Sequence, residues 1–109
     1  MRKYELDISY EGSMPNEVEF TLDDRYVVKI GDERFYNLMG ETMLSAFNGL
    51  VHPDDVTTFE HFVNSDMSAE YCVVRCLIKN GVYRWMLLLK KKIYNVGSDR
   101  MVKLVAQDI

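Results

Sequence analysis

The pentad Trp85-Met86-Leu87-Leu88-Leu89 is the most constraining stretch of this chain. It lies within a β-prone run from Val82 to Tyr94 and is apolar at every position. Successive strand residues point to opposite faces, so a strand of this kind has to be covered on both sides. Two neighbours are at hand. Glu70 to Lys79 precedes it across Asn80-Gly81, the strongest short hairpin signal. Met101 to Ile109 follows across the turn-rich segment Asn95-Val96-Gly97-Ser98-Asp99. A three-stranded antiparallel meander therefore closes the sequence, with helices needed on one face and a further layer on the other.

The earlier part of the chain supplies those helices and two more strands. Val18 to Thr21 and Tyr26 to Ile30 are short β-prone runs joined by Leu22-Asp23-Asp24-Arg25, which reads as a hairpin ended by Gly31. Asp32 is placed to cap a helix from Glu33, with Phe35, Leu38 and Met39 as its buried stripe and Gly40 as its stop. Glu41 to Leu50 is irregular and brings Met43, Leu44, Phe47 and Leu50 to the core. His52-Pro53-Asp54-Asp55 opens the longest helix, since proline suits a first helical position and the two aspartates oppose the positive helix end. Val56, Phe59, Phe62 and Val63 form its apolar face. The expected class is α+β, a five-stranded antiparallel sheet with the helices inserted between strands 2 and 3. Residues 18–109 form a single domain. Residues 1–17, with alternation from Tyr4 to Tyr10, form an N-terminal arm, cap or short edge strand.

Composition narrows the functions. At 109 residues with 48% hydrophobic content, the chain holds one ordinary core and no second one. A net charge of −4 makes nucleic acid a poor partner. The one basic run, Lys90-Lys91-Lys92, reads as a solvated strand end. Cys72 and Cys76 lie about 13 Å apart in an extended strand, too far for a disulfide. Together with the absence of a signal peptide or membrane span, this points to a reducing, cytoplasmic setting and no membrane contact. No nucleophile–base pair, glycine-rich phosphate loop or metal-spaced cluster is present, so no catalytic and no metal residue is assigned.

Several motifs recur here in a recognisable order. They are the Leu22-Asp23-Asp24 turn, Phe35-Tyr36-Asn37-Leu38-Met39-Gly40, His52-Pro53-Asp54-Asp55, Lys79-Asn80-Gly81 with Tyr83-Arg84-Trp85, and the terminal Gln107-Asp108-Ile109. In this order the sequence resembles a PAS domain of the sensory type. The resemblance covers nearly everything from Val18 onward. It implies a non-catalytic sensory and dimerisation module, cut from a longer chain, that passes a small-molecule or conformational cue to an output domain after Ile109. A diguanylate cyclase or a histidine kinase is the expected type of output. A ligand-free dimerisation scaffold is the alternative.

The resemblance also directs attention to cofactors, and none is expected. Some PAS domains hold haem through a helix histidine, but His61 lies about 160° from the apolar stripe of its helix at 100° per residue. The flavin-binding branch needs a cysteine ahead of the long helix, and none precedes Cys72. His52 reads as a turn cap, and the two cysteines as packing groups. An unidentified small organic ligand would sit among Phe35, Leu38, Met39, Met43, Leu44, Phe47 and Phe59. Its opposite wall and polar contacts would come from Tyr71, Arg75, Tyr83, Arg84 and Trp85. Adjacent residues face opposite ways, so of Arg84 and Trp85 one points inward, and Trp85 shapes either the interior or an interface. The two-sided pentad predicts a homodimer, with Met86 and Leu88 as the candidate association face.

Overall fold

The computed structural model describes residues 17–40, 46–67 and 70–109. The N-terminal arm expected over residues 1–17 lies outside these except for Glu17, which already belongs to the first strand. Strands β1 (Glu17–Leu22) and β2 (Val28–Gly31) pair antiparallel. The turn between them is organised by Asp23, whose Oδ1 accepts from the backbone N–H groups of Arg25 (2.8 Å) and Val27 (2.9 Å). Tyr26 takes a left-handed conformation, φ 66°, to complete that turn. The second strand therefore starts at Val28 rather than at Tyr26.

Helix α1 (Glu33–Met39) is capped as its sequence requires. Asp32 Oδ1 accepts from Phe35 N–H (2.7 Å), and Oδ2 accepts from Glu19 N–H (3.1 Å), so one carboxylate both starts the helix and ties it to β1. Gly40 stops it at φ 96°. At Gly31 the requirement is closeness: a Cβ there would lie 2.9 Å from both the Phe35 and Tyr36 rings. A 3-10 turn at Phe47–Leu50 follows. The segment from His52 then differs from the expectation of one continuous helix. Pro53–Asp55 is a separate 3-10 turn, capped by His52 Nδ1 accepting from Asp54 N–H (3.0 Å), and the α-helix proper, α2, runs Val56–Asn64. It buries Phe59, Phe62 and Val63.

Strands β3 (Tyr71–Leu77), β4 (Tyr83–Val96) and β5 (Asp99–Asp108) form the predicted meander. The complete sheet is antiparallel with order β2-β1-β5-β4-β3, so the last strand is central. Register places Glu17 opposite Gln107 on one side of β5, and Leu87 opposite Gln107 on the other. A bulge between Lys90 and Lys92 interrupts the β4–β5 ladder. The helices cover the face that carries Val18, Phe20, Leu22, Val74, Cys76, Met86, Leu88, Val102, Leu104 and Ala106.

Candidate functional site

The interior between helices and sheet is built on four phenylalanines from four different elements: Phe20 (β1), Phe35 (α1), Phe47 and Phe59 (α2). Each is at most 1% exposed. Ring centroids lie 4.6 Å apart for Phe20–Phe35, 4.8 Å for Phe20–Phe47 and 5.6 Å for Phe47–Phe59. These are the separations at which aromatic pairs attract beyond simple burial. Met39 is buried in the same core, and Leu38 packs against its margin. The helix-side residues expected to line a pocket thus do converge. Met43 and Leu44 fall outside the described residues.

The opposite wall is not the one expected. Val74, Cys76, Met86, Leu88 and Leu104 face the helices, whereas Tyr71 (68% exposed), Tyr83 (40%) and Trp85 (49%) stand on the outer face with Arg75. The reason is strand parity: odd-numbered residues of β3 and of the first half of β4 point away from the helices. Arg84 does have inward parity, but it sits at the open end of the sheet, where its Nη2 bonds Asp108 Oδ2 at 2.6 Å. Parity also corrects the association face. Met86 (1% exposed) and Leu88 are core residues, paired with Val74 and Cys72, so neither is open to a partner. The outward set is Trp85, Leu87 and Leu89, continued on β3 by Tyr71 and Val73.

Two charged groups organise the margins of this outer strip and of the core. Asp55, in the turn before α2, accepts three hydrogen bonds from Arg75: from its N–H (2.8 Å), Nε (2.9 Å) and Nη2 (3.0 Å). The guanidinium lies over the Trp85 ring, 4.8 Å from its centroid. His52 meets Tyr83 edge-on at 4.9 Å. One short segment therefore reaches around the edge of the sheet to hold two outer-face aromatics. Arg75 holds the Asp55 carboxyl below its ordinary value near 3.8. The stabilisation it contributes is complete above that value and is lost as pH falls through the lower, folded-state value. Asp55→Asn should lower the urea midpoint at pH 7 and flatten its decline as pH falls below about 4 relative to wild type.

The second is Lys90. Expected at a solvated strand end, it is fully buried. Its Nζ donates to Ser65 O (2.8 Å) and Glu70 Oε1 (3.0 Å) and stands 5.0 Å from the centroid of the Phe62 ring. It continues the inward parity of Met86 and Leu88, and the bulge just after it sends both Lys91 and Lys92 to solvent. Arg100 adds bonds to Val63 O and Ser65 O, so two cations face the carbonyl end of α2.

No protein-family model matches the chain, and no curated protein matches it. Solved structures do. The PAS domain of the Cronobacter turicensis RpfR quorum-sensing receptor in complex with C12:0 superposes with a TM-score of 0.69 at 15% identity, over 91% of this chain and 99% of that one. The same domain in complex with BDSF gives 0.64 at 15% identity over the same shares. The PAS domain of an HTR-like protein from Haloarcula marismortui gives 0.62 at 15% identity, over 98% of this chain and 91% of that one.

This chain has the PAS fold.

Within the PAS fold the remaining chemical candidates are placed plainly. His61 is exposed, in the last turn of α2. Cys72 and Cys76 line the inner face of β3, and burial pushes both thiols up to about 12, the range of an inert packing group rather than a nucleophile. Among the described residues, no cluster of three or more histidines, cysteines or carboxylates could hold a metal ion, and no helix is long and apolar enough to cross a membrane. Sequence reasoning missed the Asp55–Arg75–Trp85 stack and the burial of Lys90. For Lys90 a signal existed, since it is spaced by two from Met86 and Leu88.

Proposed function

We propose that this PAS-fold chain is a non-catalytic sensory and regulatory module that acts as a homodimer in the cytoplasm and passes its state to an output domain after Ile109. The observation that carries the reading is the position of β4. Its inward residues, Met86 and Leu88, belong to the aromatic-walled core, while its outward residues, Trp85, Leu87 and Leu89, form an apolar strip. The start of this same strand holds the end of the chain: Arg84 pairs with Asp108, and Ile109 N–H donates to Trp85 O at 3.2 Å. A shift of β4 driven from the core moves the outer strip and the exit of the chain together. A diguanylate cyclase or histidine kinase is the proposed type of output.

A small apolar or amphipathic molecule is the proposed cue, supported by the apolar interior and by the likeness to a receptor domain solved with C12:0 and BDSF. The ligand-free alternative draws on the close packing of the four phenylalanines, which already fill their part of the core. Thermal-shift and calorimetric titration with dodecanoic acid, then with other carboxylates, nucleotides and aromatic metabolites, separates the two. A saturable rise in Tm supports sensing. A flat response across all classes supports the scaffold.

A further inference from the structure

Strand β3 is an edge of the sheet, and only half of that edge is closed. The direction of its hydrogen bonds can be read from its two ends. Lys90 N–H donates to Glu70 O (2.8 Å) and Ile78 N–H donates to Val82 O (2.9 Å). In an antiparallel ladder this assigns even-numbered residues to bonds with β4 and turns the N–H and C=O groups of odd-numbered residues outward. At Arg75 the outward groups are met, since its N–H donates to Asp55 Oδ2 and its C=O accepts from His52 N–H (2.8 Å). Val51 bridges to Cys76 beside them. At Tyr71 and Val73 the outward groups meet no partner among the described residues, and both side chains are exposed. Native edges are ordinarily blunted by proline, charge or a bulge. Tyr71-Cys72-Val73 carries none of these and is β-prone throughout.

We propose that this open half-edge pairs with the same half-edge of a second copy, antiparallel, across a two-fold axis at Cys72. The inference rests on the homodimer reading above and specifies its interface. Each chain offers two N–H and two C=O groups, at Tyr71 and Val73. Setting Tyr71 opposite the partner's Val73, and Val73 opposite the partner's Tyr71, joins all of them in four hydrogen bonds. A shift that sets Val73 opposite itself brings Tyr71 against Arg75, whose groups Asp55 and His52 already occupy. The self-pairing register is thus the one that leaves nothing open and displaces nothing. It also sets Glu70 opposite Val74, so no like charges face each other across the paired rows. The two outer strips, each with Tyr71, Val73, Leu87 and Leu89, then become one continuous apolar surface.

The test is site-directed cross-linking in a Cys72→Ala background, which removes the thiol at the axis. Tyr71→Cys protein is mixed with Val73→Cys protein in a glutathione redox buffer. The two thiols join as a disulfide while one oxidised glutathione takes up their two electrons and two protons. Residues directly opposite in a hydrogen-bonded pair have Cα atoms about 5.5 Å apart, within disulfide reach, whereas two copies of either variant alone are offset to roughly 8–9 Å, beyond it. The mixed sample should give about tenfold more linked dimer than either variant alone. Val73→Pro, tolerated in the monomer because its N–H faces outward, should weaken the wild-type dimer about 10–100-fold in sedimentation analysis. A dimer that neither cross-links nor responds to Val73→Pro overturns the edge pairing and leaves self-association standing. A chain that stays monomeric at high micromolar concentration overturns both.

Discussion

Phe47→Ala should lower stability by about 3–5 kcal/mol, the range for deleting a fully buried ring. For a chain of this size that is a fall in Tm of roughly 15–30 °C. The size of the effect follows from position. Phe47 stands in a four-residue 3-10 turn with no regular element to hold it, and its ring touches those of Phe20, Phe35 and Phe59. Its removal leaves three rings facing an apolar void that the flanking turn is too short to close. Phe47→Leu, which keeps most of the volume, should cost only about 1–1.5 kcal/mol. The void carries its own check, because a dry apolar cavity of this size binds benzene. Benzene should raise the Tm of Phe47→Ala and leave wild type unmoved. Equal costs for Ala and Leu, read from urea midpoints, would show that the ring cluster is not what holds the core.

The contrast at Lys90 is of a different kind. Lys90→Ala should cost about 2–4 kcal/mol, chiefly through the void left by a buried four-carbon stem. Lys90→Met should fall within about 1 kcal/mol of wild type or exceed it. Methionine fills the same space against Phe62 without holding an ammonium out of water, and Ser65 O keeps its bond from Arg100. Glu70, partly exposed, regains water when its partner goes. The opposite order, with Met as damaging as Ala, would show that the charge itself stabilises the fold. Chemical denaturation of the two variants at pH 7 decides it.

Much of the architecture is legible in the sequence, because it is written in local chemistry. Asp32 caps α1, Gly40 stops it, and Asn80-Gly81 joins two strands, all through bonds within a few residues. What escaped depends on partners distant in sequence. Asp55 has an ordinary explanation as a residue near a helix start, and only the folded chain brings Arg75 to it across the sheet edge. The two faces of β4 are both apolar, so alternation identified two sets without saying which met the helices. That single undetermined parity put Met86 and Leu88 on the candidate association face and Tyr71, Arg75 and Tyr83 on the candidate pocket wall, and left Trp85 open between interior and interface. Lys90, spaced by two from Met86 and Leu88, was misread along with them, and the bulge after it, which leaves little trace in sequence, turns Lys91 and Lys92 together to solvent.

The central place of β5 bears on how the chain is made. In order of synthesis, β1 with β2 and β3 with β4 form two separate hairpins, and neither borders the other in the finished sheet. Both must wait for residues 99–108 to slot between them, with Glu17 meeting Gln107 from nearly the far end of the sequence. Until then the inner faces of four strands, including Phe20 and Leu88, have no closed core to enter. Such long-range closure folds slowly and leaves unpaired strand edges exposed in the meantime. A nascent chain arrested before β5 is therefore the form of this protein most in need of a chaperone.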